Sequence, residues 1–259
     1  MRHPLCLALL LSLAGTAVAQ DMPKPAAKAK AKPKARRPRR VDGTYMGREI
    51  APAMSFEGGG AEWLMRPERI EEEQPEKMID ALKLKPGMTV ADVGAGVGYT
   101  TLRMARRVAP GGVILATDIQ PKMVKALEER AREAGVKNVK PLLATADDPR
   151  LPEAGVDLAL MVDVYHECAD PAAMLAALRK ALKPDGRLVL VEFRGEDDSV
   201  PINPVHKMTV AQVRKELEAN GFAMVEAQEF LPWQHILIFG KAGEDAAKGK
   251  AESKAGGDR

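Results

Sequence analysis

Cysteine is nearly absent from this chain: its 259 residues include two, Cys6 and Cys168. That excludes a disulfide scaffold. Cys6 falls in a leader expected to be removed, so the processed chain would keep only Cys168 and form no internal disulfide. No Cys/His cluster has metal-ligand spacing along the sequence, so no metal is expected. Long apolar runs are also missing. The run at residues 5–18 falls short of the ~20 residues that a membrane span needs, and no lipidation cysteine follows it.

What is present suffices for a core. Apolar residues make up 46% of the chain, enough for one α/β domain of roughly 200 residues plus tails. Residues 1–19 read as a secretory signal peptide: Arg2, the apolar run, then the small-x-small site Ala17-Val18-Ala19. This places the mature protein in the periplasm or outside the cell. The net charge of +3 hides an asymmetry, because residues 21–40 carry nine Lys and Arg against one acid. By the positive-inside rule that imbalance supports the alternative of a membrane-anchored chain facing the cytosol. Residues 20–43 are Ala/Lys/Pro-rich and cannot offset their ordering entropy, so a disordered linker is expected there, and another disordered tail over 243–259. The basic stretch is either a solvated linker or a tether to an anionic envelope surface. It has no aromatic residue to stack bases, which argues against nucleic acid.

The most informative segment is Val90-Ala91-Asp92-Val93-Gly94-Ala95-Gly96-Val97-Gly98-Tyr99. It reads as a strand, a glycine turn and the start of a helix. A second strand, residues 113–117, ends on Asp118. Those are the parts of a nucleoside-binding βαβ unit. Glycines let a ligand lie against bare backbone, and one carboxylate can accept both ribose hydroxyls. A dinucleotide fingerprint, G-x-G-x-x-G, requires glycine where Tyr99 stands.

The pattern D-x-G-x-G-x-G over Asp92, Gly94, Gly96 and Gly98 resembles the first motif of class I S-adenosylmethionine (SAM)-dependent methyltransferases, and the resemblance runs from about residue 71 to 242. It implies SAM as cofactor, a cationic ligand that acids suit. It implies that Gly94, Ala95, Gly96 and Gly98 form the cradle. Asp92 would meet the methionine ammonium, Asp118 the ribose, and Ile119 the adenine face. Asp147, four residues before Leu151-Pro152, would accept from the adenine amino group.

The rest alternates strand and helix. Helices are expected at residues 62–69 and 74–84, with a mobile loop at 56–60, and the resemblance implies that this N-terminal cap over 44–86 covers the cofactor. Further helices are expected at 121–134, after Asp170-Pro171, and after Thr209 with Gln212 at capping-box spacing. Strands are expected at 139–143, 156–162, 187–193, 223–229 and 235–240, the last two joined too tightly for a crossover and so antiparallel. The resemblance implies a Rossmann-like seven-stranded, mostly parallel sheet with helices on both faces, in the order 3-2-1-4-5-7-6, within a domain over 44–242.

The fourth strand ends in Val162-Asp163-Val164-Tyr165-His166-Glu167. In class I enzymes this end faces the transferred methyl and the acceptor. His166 has the intrinsic pKa of a general base, Asp163 would orient it or act alone, and Tyr165 would wall the pocket. The alternative for His166 is a structural histidine. His206 is a secondary candidate on a loop that folds over the site, and His235 reads as structural. The Asn/Asp-Pro-Pro-aromatic signature of amino methylation is missing at 162–165, which argues against DNA bases or glutamine as acceptors. Residues 157–167 look more like small-molecule enzymes of the ubiquinone/menaquinone type. The leading expectation is methyl transfer to a small or lipid-like acceptor. The alternatives are a non-catalytic SAM-binding envelope protein and a nucleotide-dependent oxidoreductase. No motif names the acceptor or the oligomeric state.

Overall fold

The computed structural model describes residues 43–243; the expected leader, nearly all of the basic linker and the tail from 244 lie outside the described residues. The chain enters through a short antiparallel hairpin, β1 (Thr44–Tyr45) and β2 (Arg48–Glu49). An irregular helical turn, Phe56–Gly60, takes the place of the expected loop. Three short helices follow: α1 (Ala61–Leu64), α2 (Arg69–Glu73) and α3 (Pro75–Ala81). The periodicity suggested two longer helices. Pro67 separates α1 from α2, and Gln74, left-handed at φ 46°, separates α2 from α3.

From there the chain alternates: β3 (Thr89–Val93), α4 (Thr101–Val108), β4 (Val113–Asp118), α5 (Pro121–Glu133), β5 (Val139–Leu143), β6 (Val156–Val162), α6 (Pro171–Ala181) and β7 (Leu182–Arg194). It closes with β8 (Lys207–Met208), α7 (Val210–Ala219), β9 (Phe222–Gln228) and β10 (Gln234–Lys241). The sheet runs β5-β4-β3-β6-β7-β10-β9, and β10 is antiparallel to both its neighbours. This is the expected order. The short β8, parallel to the end of β7, is an addition that the sequence did not signal.

Helices cover both faces, which is why β6 reads as one apolar run. Ala159 and Met161 point into the core shared with α6 and α7, and Leu158 and Leu160 into the one shared with α3 and α4. The caps form where they are expected. Asp170 accepts from the Ala173 amide at 2.9 Å, and Thr209 from the Gln212 amide at 3.1 Å. The Gln212 side chain turns instead to Glu216 and Met46, so the capping box is half made.

Sheet order reverses between β3 and β6, and the carboxyl ends of β3, β4 and β6 open together at that crevice. The glycine turn, Asp118 and the run after Val162 all lie there.

Candidate functional site

β3 buries Val90, Ala91 and Val93, and the turn after it folds back onto β4. The Gly94 and Ala95 amides both donate to the Thr117 carbonyl, at 2.8 and 2.9 Å. The Gly96 amide donates to Asp118 Oδ2 at 2.9 Å. Gly94 and Gly96 hold φ of 74° and 54°, the left-handed region that favours glycine. Space is short as well. A Cβ on Gly94 would lie 2.5 Å from Val164 Cγ2, and one on Gly96 would lie 2.5 Å from Leu64 Cδ1. Sequence reasoning assigned the bare backbone to a ligand; side chains from α1 and from the end of β6 also press on it.

Asp118 Oδ1 accepts from the Gln120 amide at 2.8 Å. Each carboxylate oxygen therefore holds one amide and keeps acceptor capacity for one of two vicinal hydroxyls. Burial raises the Asp118 pKa, against those amide hydrogen bonds. Beside it opens a cavity of about 480 Å³ whose walls include Gly94, Ile119, Ala144, Ala146, Met161 and Val164. A largely apolar slot of that size, with the acids Asp118 and Glu167 at its wall, fits an adenosine. Cys168 lines the same cavity, and burial pushes its thiol up to about 12, which makes it unreactive.

Of the expected cofactor residues, Gly94, Asp118 and Ile119 line this cavity, whereas Asp92, Ala95, Gly96, Gly98 and Asp147 do not. Asp92 is buried behind the turn, accepts from Thr101 Oγ1 at 2.5 Å, and so braces the turn against α4. Burial raises its pKa to about 6. Asp147 is exposed and accepts from Thr145 Oγ1 at 2.8 Å, at the rim beside Ala144 and Ala146 rather than inside. Gly98 packs toward Leu127 of α5, and Tyr99 lies between the guanidinium groups of Arg69 and Arg103.

A second cavity, about 360 Å³, shares Gly94, Val164 and Glu167 with the first. Its apolar walls include Trp63 and Leu64 of α1, Phe193 and Ile202. Its polar groups come from the end of β6 and from Arg69, Glu73, Asn203 and His206. Asp163, at φ 53°, accepts from Gln234 Nε2 at 2.6 Å, while its Oδ1 is buried without a partner. Burial, with the charges of Glu73 and Glu192 nearby, raises its pKa well above the carboxylate range. Asp163 lines this cavity together with His166, as a group that orients the acceptor or takes its proton would.

His166 is buried. Its Nδ1 lies 2.5 Å from Glu192 Oε2, and Glu192 also accepts from the Tyr165 amide at 2.9 Å. The Glu192 carboxylate orients the ring and turns Nε2 toward the cavity. That nitrogen lies 3.1 Å from Nδ1 of His206, which the short helical turn Pro204–His206 holds edge-on at an interplanar angle of 87°. Burial lowers the His206 pKa. Glu167 is raised to about 7, mainly by burial. The ligating atoms of His166, Glu167 and His206 lie within 4.8 Å of one another. The sequence showed no metal-ligand spacing because His206 is remote in the chain.

Tyr165 corrects an expectation. The helical turn Tyr165–Glu167 sends its ring into the core beneath α7, while His166 and Glu167 face the cavity. The Tyr165 hydroxyl donates to Glu216 Oε2 at 2.7 Å, so it does not wall the pocket. His235 is buried in β10 and lines neither cavity. The N-terminal segment straps the site from outside. The Ala51 amide donates to the His166 carbonyl at 3.1 Å, and Gln120 ties both Phe56 and Met54.

Sequence reasoning missed Glu192, Glu167 and the buried ion pair between Arg69 and Glu73, at 2.6 Å. A signal existed for Glu192: a lone acid inside the apolar strand Leu188-Val189-Leu190-Val191-Glu192-Phe193 is rare unless paired.

Fold and turn thus define a nucleoside-binding α/β protein. The profile of the methyltransferase-domain family matches residues 84–250. The chain belongs to that family, in its class I SAM-dependent form. It is 32% identical over 114 residues to nocamycin O-methyltransferase of Saccharothrix syringae, a match covering 44% of this chain and 41% of that one. It is 30% identical over 116 residues to the ubiquinone/menaquinone biosynthesis C-methyltransferase UbiE of Shewanella halifaxensis (strain HAW-EB4), covering 44% and 46%. The chain spans less than half the length of these curated relatives. A SAM-dependent methyltransferase from Aquifex aeolicus superposes with a TM-score of 0.67 at 28% identity, covering 71% of this chain and 98% of that one.

Proposed function

We propose that this protein transfers a methyl group from SAM to a small-molecule acceptor held in the second cavity. The observation that carries this reading is that the two cavities adjoin, sharing Gly94, Val164 and Glu167 in their walls. One offers an acid and apolar walls to a nucleoside, and the other offers a histidine pair between aromatic walls.

SAM, when bound, supplies an electrophilic methyl on a sulfonium, which an acceptor displaces in line. The protein's share is placement. Asp118 takes the ribose hydroxyls, Ile119 and Ala146 hold the adenine, and Asp147 reaches its amino group from the rim. The glycine backbone, braced by Asp92, bounds the methionine end. Trp63, Phe193 and Ile202 exclude water and orient the acceptor. The proton an acceptor hydroxyl loses is taken at the His166–His206 pair, and Glu192 stabilises the imidazolium that forms. Asp163, which lines the same cavity, helps to place the acceptor. The basic residues 21–40 would tether the domain to an anionic envelope surface.

The test is transfer of labelled methyl from SAM into fractionated envelope and cytosolic extracts, by wild type and by Asp118→Ala. Label in a low-mass fraction that depends on Asp118 supports the reading. SAM binding with no label in any fraction favours the non-catalytic SAM-binding protein instead.

A further inference from the structure

We propose that His166, Glu167 and His206 bind a first-row divalent metal ion at the acceptor cavity. The inference stands on geometry and needs neither SAM nor an acceptor. His166 Nε2 lies 3.1 Å from His206 Nδ1 and 3.9 Å from Glu167 Oε1, and the last two atoms are 3.8 Å apart. Three atoms so spaced share a centre about 2.1 Å from each, the length of a zinc bond to nitrogen or carboxylate oxygen. A hydrogen bond between two histidines explains the first distance. It does not require a carboxylate oxygen almost equidistant from both nitrogens.

The surroundings agree. The His166 and His206 rings meet edge-on, so their facing nitrogens approach from different directions. Glu192, fully buried, holds His166 Nδ1 at 2.5 Å and so points Nε2 at the position an ion would take. A ligating histidine almost always has such a carboxylate or carbonyl behind it. Two imidazoles and one carboxylate suit zinc, cobalt or ferrous iron, whereas all-oxygen sites suit magnesium and calcium. Three protein ligands leave coordination positions open, and all three residues line the acceptor cavity. An acceptor with an oxygen or thiolate donor fits such a position. An ion there takes the lone pair of His166 that otherwise holds the acceptor's proton, and activation of the acceptor passes to the ion.

The experiment uses the untagged full chain, stripped with chelator and titrated with cobalt(II), then zinc(II), in the absence of SAM. The expected result is one equivalent of cobalt with visible absorption bands, displaced by one equivalent of zinc. His206→Ala and Glu167→Gln should each weaken binding at least ~100-fold, and Glu192→Gln should weaken it roughly 10–100-fold. The His206 side chain is 28% exposed on a surface turn, so its variant leaves the core intact, and melting curves verify that each variant is folded. Asp118→Ala should keep the cobalt spectrum while losing SAM affinity by calorimetry, which reads the metal site apart from the cofactor site. Absence of cobalt bands in the wild type, or their persistence in a folded variant carrying both His166→Ala and His206→Ala, overturns the proposal.

Discussion

The Gly96 amide donates to the Asp118 carboxylate at 2.9 Å, so the glycine turn and the acid at the end of β4 are one unit. The acid shapes the turn that would hold one end of the ligand while facing the other end. Asp118→Ala removes the acceptor of two backbone amides and of the ribose. A charged hydrogen bond contributes roughly 1.5–3 kcal/mol, so SAM affinity should fall at least tenfold. Calorimetry on a folded variant checks this, and unchanged affinity would remove Asp118 from the site.

Gly96→Val should abolish SAM binding. Its backbone sits at φ 54° and its Cβ would meet Leu64, so the variant is strained by about 1–2 kcal/mol and must shift the turn that holds Asp118. Adding Leu64→Ala relieves the contact and leaves the strain. Normal SAM binding by Gly96→Val would show that the turn is not the cradle.

The local parts of this site were legible because they depend on neighbours in sequence. The glycines between an acid and a helix, the strand ending on Asp118 and the apolar run of β6 each carry their own pattern, and strand order followed from the family resemblance. The rest depends on tertiary contact. His206 reaches His166 from another loop, and Glu192 meets it across adjoining strands. Tyr165 misled because the facing of a residue past a strand end is set by the turn that follows, which here rotates it inward. The burial of Asp163 and its hydrogen bond from Gln234 likewise depend on tertiary contact.

Tyr165→Phe separates packing from catalysis. The hydroxyl donates to Glu216, which keeps Arg48 and Gln212 as partners. Stability should drop by about 1–2 kcal/mol while turnover stays within about twofold of wild type. A tenfold loss of turnover without a change in Tm would return Tyr165 to the acceptor pocket.

Asp92 makes stability pH-dependent. Burial raises its folded pKa to about 6 from 3.8, so the folded state binds the proton more tightly than the unfolded state. Its contribution is full below pH 3.8 and is lost as pH rises to about 6, amounting to about 2–3 kcal/mol. Asp92→Asn should flatten the stability curve of the ligand-free protein across that window and raise its Tm at pH 8. A curve that keeps the wild-type slope would locate the titration elsewhere.

The cofactor claim is tested most directly by titrating the purified chain with SAM, S-adenosylhomocysteine and NAD in one calorimetric series. The turn, with Tyr99 where a dinucleotide fingerprint has glycine and with Asp118 at the end of β4, predicts saturable one-to-one binding of SAM and S-adenosylhomocysteine and none of NAD. Binding of NAD, or no binding of either sulfur ligand by a folded protein, would contradict it.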